Sequence, residues 1–152
     1  MPFGGRSSPD LSAPLYAALT GNSAIVALLG EQSDSSPSIL TNRPVPPDAT
    51  YPMIVTAGDV TRSDQDLIAD PVLVIVRDVS IFGQNTTASG INQTRTCDSI
   101  ALKVRDLFHR QPGSITVSGW SVIDIVAQGP IVGPVDDDQS VHRLVTLTIR
   151  LS

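Results

Sequence analysis

The sequence predicts an α+β domain: a mostly antiparallel sheet of about four strands flanked by helices, in the order α(α)–β–β–α–β–β. Three stretches carry that reading. INQTRTCDSIALKVRDLFHR, residues 91–110, repeats apolar side chains at helical spacing. SVHRLVTLTIRLS, residues 140–152, alternates apolar and polar with period two, as a strand with one buried face does. VLVIV, residues 72–76, is an apolar run after a polar, turn-forming segment, as a buried strand requires.

From the N-terminus, residues 1–10 are rich in Gly, Ser and Pro and read as a flexible arm. Residues 11–152 read as a single domain, in keeping with the length of 152 residues. DLSAPLYAALTG is a helix: Asp10 or Ser12 can cap it, Pro14 falls in the first turn where its missing N–H is harmless, and Gly21 can end it. Asn22 and Ser23 restart the chain into AIVALLG, a short helix closed by Gly30. Residues 31–50 hold four prolines, which forbid a helix interior or a central strand. A link this long is expected to be functional or to hold a short strand near Ile39–Leu40.

Met53 to Val60 reads as a strand and RSDQDLIAD as a turn. Val72 to Ile81 is the next strand, with Val74, Val76 and Asp78 on one face and Leu73, Ile75, Arg77 and Val79 on the other. Its first half is apolar on both sides, which places it centrally. GQNTTASG interrupts the pattern. In the helix that follows, Cys97, Ile100, Ala101, Val104, Leu107 and Phe108 share one face, opposite Ser99, Lys103, Asp106 and Arg110. Burying that stripe contributes roughly 10 kcal/mol, at about 1.5–3 per large side chain. QPG stops the helix. SITVSGWSVIDIVAQ supplies a strand bent at Gly119, with Trp120 expected in the core. In the last strand Val141, Val145, Leu147, Ile149 and Leu151 form the buried face, while Arg143 on that face and Leu144 on the other break the alternation.

Composition excludes several classes. Net charge is −5, and the ten Lys and Arg residues, Lys103 the single lysine among them, are scattered. A protein that grips DNA through phosphates needs them clustered. Aromatics make up 4%, so the core rests on Val, Ile, Leu and Ala. Cys97 is alone, so no internal disulfide forms, and its place on the apolar helix face makes it a small core hydrophobe. MPFGGRSSPD shows no apolar signal-peptide core, and the apolar runs are too short to span a bilayer.

PVDDDQSVH, with Asp136, Asp137, Asp138 and His142, is the one conspicuous polar cluster. Read as a calcium loop from Asp136, it puts Val141 where Gly belongs and Leu147 where Glu belongs. Zinc needs further converging ligands. The flanking Gly129-Pro130 and Gly133-Pro134 favour a solvated hairpin tip. Phosphate-loop, nucleophile-elbow and zinc-protease patterns do not occur, nor does the nuclease acid–lysine pair at Lys103. His109 falls at a helix C-terminus, where a cation offsets the dipole. Asp78 and Asp124, set in apolar strands, could each oppose an arginine across the sheet, with Arg77, Arg143 and Arg150 as candidates.

The succession LYAALTGNSAIVALLG, a Pro-rich link, YPMIVTAGD, VLVIVRD, IALKVRDLFH and DDDQSVHRLVTLTIRLS resembles the tail-completion or tail-terminator family of long-tailed bacteriophages and gene transfer particles over residues 11–152. That resemblance implies a structural virion protein, assembled in the bacterial cytoplasm, with no catalytic residue, cofactor or metal. Copies, six by the resemblance, would form a ring that caps the tail tube and joins it to the neck or head-closure protein, with DNA passing through and no membrane involved. The segments too long for simple turns supply candidate contacts with neighbours: Arg43, Arg62, Asp64, Asp66, Asp136, Asp137, Asp138 and His142. Three alternatives stand beside this reading. One is a neck or head-closure ring, one a small metal-dependent hydrolase using Asp124, Asp136–Asp138 and His142, and one a monomeric binding module.

Overall fold

A computed structural model of the chain describes residues 9–41, 50–56, 58–66, 71–86, 90–133 and 140–152. It is an α+β fold of two layers, with helices packed on one face of a mostly antiparallel sheet. The helices are α1 (Ser12–Thr20), α2 (Ser23–Val26) and α3 (Thr94–Phe108). Seven strands are described rather than four: β1 (Ile39–Leu40), β2 (Met53–Val55), β3 (Asp59–Asp66), β4 (Pro71–Thr86), β5 (Ile91–Asn92), β6 (Val122–Val132) and β7 (Ser140–Leu151).

The longest strand, β4, is the axis of the sheet. One side pairs with β7 from Leu73–Leu151 to Gln84–Ser140. Its other side is shared end to end by β3, β2 and β5. Beyond β2 lies β1, the parallel neighbour, and beyond β7 lies β6. Central placement of the apolar VLVIV run is therefore met, and so is the short strand at Ile39–Leu40.

The face of β4 and β7 that meets the helices carries Leu73, Ile75, Val79, Ile81, Val145, Leu147, Ile149 and Leu151, all buried. Against it pack Leu11, Leu15 and Leu19 of the first helical segment, Ile25 of α2, and Cys97, Ile100, Ala101, Val104 and Phe108 of α3. Leu107 and Trp120 pack at the margin of this core, partly buried. A smaller cluster of Leu40, Met53 and Val55, with Phe82 beside it, lies on the opposite face.

Local caps follow the sequence with one change. Asn22 accepts the Ile25 N–H at 3.1 Å and starts α2. At α1 the N-cap position is Leu11, without a side-chain bond, while Asp10 accepts the Ser12 N–H at 3.0 Å. Pro14 does lie in the first turn.

Three strand boundaries differ from the sequence expectation. The single strand expected over Met53–Val60 is two, separated where Gly58 takes φ +95° and the register slips between Asp59 and Thr61. The polar RSDQD stretch, read as a turn, continues as β3, because pairing with β4 along a sheet edge suits polar residues. Likewise β4 runs on through Gly83 to Thr86. The penultimate strand begins at Val122, since Gly119 at φ +79° turns the chain first, and it continues past Pro130 to Val132. An edge strand tolerates that proline, and a bulge between Gln128 and Ile131 absorbs it. Gly129-Pro130 therefore belongs to the strand and does not bracket a turn.

Gly83 lets α3 approach the sheet closely: a Cβ there would overlap the Cys97 sulfur and crowd Gln93. We expect Gly83→Ala to lower stability in urea unfolding by about 1–3 kcal/mol. The same change in a Cys97→Ala background should cost measurably less. Equal losses in both backgrounds would show that the sulfur is not what limits the site.

Candidate assembly surface

The polar side chains of the described residues fall into separate small groups. The most buried centres on Arg77, 3% exposed, on the helix-facing side of β4. Its Nε donates to Thr56 Oγ1 at 3.0 Å, and Nη2 donates to Ser12 Oγ at 2.7 Å and to the Thr56 carbonyl at 2.8 Å. Nη1 meets Asp59 Oδ1 at 3.3 Å. Asp59 Oδ2 in turn accepts from Arg62 Nη2 at 2.6 Å, and that same nitrogen donates to the Pro9 carbonyl at 3.0 Å. One guanidinium thus joins α1, the β2–β3 connection and β4, and a second joins β3 to the segment before α1. Burying a charge is tolerated when its donors are met by acceptors, as they are here.

Two more ion pairs resolve residues that broke the sequence pattern. Arg143, on the apolar face of β7, reaches Asp98 of α3 at 2.6 Å. Asp124 lies opposite Arg150 in register, as one cross-sheet option had it, but its carboxylate pairs with Arg110 at the end of α3. Asp78 takes no arginine; it accepts from Thr146 Oγ1 at 2.8 Å. At the C-cap of α3, His109 accepts the Ala127 N–H on Nδ1 at 3.1 Å. Through that bond the ring fastens the end of α3 to β6.

The candidate contact residues separate. Arg62 is exposed on β3 and holds Asp59 and Pro9 as above. The backbones of Asp64 and Asp66 lie in β3 opposite Leu73 and Pro71. His142 is inside the protomer: its imidazole is 7% exposed, stacks on Phe82 with centroids 4.3 Å apart and leaves no room for a Cβ on Gly133. The imidazole is therefore a packing element of the β4–β7 pair. Arg43 and Asp136–Asp138 lie outside the described residues, the aspartates in the segment joining β6 to β7. Among the described residues no three His, Cys, Asp or Glu side chains come together to hold a metal. Nor is any helix among them long and apolar enough to cross a membrane.

Sequence reasoning missed the surface feature that stands out most. Three of the large exposed hydrophobics sit on the edge strand β6: Ile123 at 47%, Ile131 at 57% and Val132 at 75%. Pro130 was the available signal, since a proline inside a strand pattern marks an edge.

Scans against protein-family models and curated proteins give no match. The fold is similar to that of a chain in a solved structure described as the virion of a native gene transfer agent (GTA) particle. The TM-score is 0.64 at 15% identity, covering 93% of this chain and 92% of that one. At that identity the likeness is one of fold.

Two outcomes follow from the side-chain arrangement. Arg77→Met should cost about 3 kcal/mol in urea unfolding, because it strands Asp59, Ser12 and Thr56. Arg77→Lys should recover only part, having one point charge where a fork was used. Full stability in the Met variant would show that the network is incidental. Cys97 is fully buried, which pushes its thiol up to about 11, partly offset by the nearby Arg143. A maleimide at pH 7.5 (about three units below that value) should leave the native thiol unmodified and label it once urea unfolds the chain. Rapid native labelling would contradict the packing of α3.

Proposed function

We propose that this chain is a structural protein of a phage-like virion, and specifically the tail terminator: a ring, hexameric by the family resemblance, that caps the tail tube and joins it to the neck, with DNA passing through. The observation that carries the reading is the likeness in fold, over nearly the full length of both chains, to a chain of a gene transfer agent virion. The element order in the sequence, which resembles the tail-terminator family, supports the finer part of the reading.

The chemistry is compatible with that role. A ring subunit works by fitting neighbours and needs no reactive centre, and the polar groups described above each close on a partner within the protomer. A net charge of −5 with scattered basic residues suits a channel through which DNA slides without being held. On this reading residues 11–152 form the ring-building unit and residues 1–10 an arm for neighbours. Arg43, Arg62, Asp64, Asp66 and Asp136–Asp138 are contacts to adjoining copies, the tube protein or the neck protein. The protein acts in the particle, after assembly in the bacterial cytoplasm.

Deleting the gene from a particle-producing strain tests this by electron microscopy and by protein analysis of purified particles. A terminator predicts overlong or unjoined tails, restored when the gene is supplied in trans. Full heads that leak DNA would assign the chain to the neck instead. Normal particles after deletion, from which the chain is also absent in the parent strain, would overturn the virion reading.

A further inference from the structure

The sheet ends, among the described residues, in β6 on one side and in β1, β3 and β5 on the other, and the β6 and β3 edges match. Among the described residues β6 pairs only with β7, and β3 only with β4. The register runs straight across the molecule between them. Asp124 lies opposite Arg150, Arg150 opposite Val74, and Val74 opposite Ser63. Ala127 leads in the same way through Leu147 and Arg77 to Asp59. The first half of β6 and the body of β3 therefore stand at one height on opposite sides. The far half of β6 is blunted by Pro130, which has no N–H to offer, and by the bulge beside it. What remains open on β6 is the part that is level with β3.

Strand direction adds a second condition, and it is met. β7 opposes β4, β6 opposes β7, and β3 opposes β4, so β6 and β3 run in opposite directions. Rotation about an axis along the strands preserves these directions. The β6 edge of one copy and the β3 edge of the next then meet antiparallel, with the hydrogen-bond pattern of every strand pair in the sheet but β1–β2. The charges of the two edges are complementary. β3, DVTRSDQD, brings Asp64 and Asp66 besides Asp59, which Arg62 and Arg77 already hold. Arg150 is exposed beside β6, whose single acid, Asp124, is paired with Arg110. Each edge also leaves an apolar side chain in water, Ile123 at 47% on β6 and Val60 at 56% on β3.

We propose that copies of this chain join edge to edge, β6 of one against β3 of the next, so that the sheet continues from subunit to subunit. The contact is heterologous, which is the kind that closes into a ring, and the proposal rests on the ring reading above. It specifies the surfaces that reading leaves open.

Cross-linking in particles tests it. Cys97 is buried and its thiol is pushed up, so introduced cysteines report alone. Ser63 stands within one residue of the level of Ile123. Strains carry Ser63→Cys, Ile123→Cys or both, and purified particles are treated with a short bis-maleimide that tolerates a one-residue slip. The double variant should give a ladder of multimers on a denaturing gel, and each single variant only monomer. Dimers from Ile123→Cys alone would mean that β6 meets β6, and would overturn the proposal. So would monomer from the double variant in particles that contain the chain, a result that leaves the virion role standing. Particles devoid of the wild-type chain would remove the virion role and this pairing with it.

Discussion

The ladder between β4 and β7 is the constraint on which the rest of the molecule depends. These two strands, far apart in sequence, pair from Leu73–Leu151 to Gln84–Ser140 and present one shared face, apolar but for Arg77 and Arg143. Every helix packs on that face, and every other strand but β1, which pairs with β2, attaches to one of the two. Because side chains alternate along a strand, a slip of one residue would turn Ile75, Val79, Val145, Leu147 and Ile149 away from the helices together. The register is therefore fixed by burial, and polar features check it locally. Arg143 finds Asp98, Asp78 finds the Thr146 hydroxyl, and the His142 ring finds Phe82.

How much of this could be read from the sequence depended on whether a residue's neighbours were local or distant. The α3 stripe and the alternation in β7 are local patterns, and the buried residues are the ones the spacing selected, except that Leu107 is only partly buried and His142 is buried from the polar side. Apolarity on both faces of VLVIV put that strand at the centre correctly. β3 was misread because its polar composition suits a turn as well as an edge strand, and only its pairing with β4 decides. The same is true of β4 beyond Ile81, where Gly83 serves a close approach by Cys97 that no local pattern encodes. For the site, Arg77 was assigned to the correct face, but its role came from Ser12, Thr56 and Asp59, distant residues that converge only in the fold. His142, read as a surface group beside the aspartates, is inside because the strand parity that exposes Arg150 meets Phe82 at its own end of β7.

For function the sequence carries no single diagnostic motif, and the family resemblance lies in the order of elements. The likeness to a virion chain at 15% identity is of the same kind, one of layout. A layout of this sort is held by which positions are apolar, and that pattern survives extensive substitution.

The Arg62–Pro9 bond has a consequence for how the helical layer is held. Its guanidinium pins the Pro9 carbonyl beside β3, while Arg77 ties Ser12 of α1 to β4. The entry to α1 is thus fastened to two strands by two separate arginines, and the helix cannot lift from the sheet at that end while either bond holds.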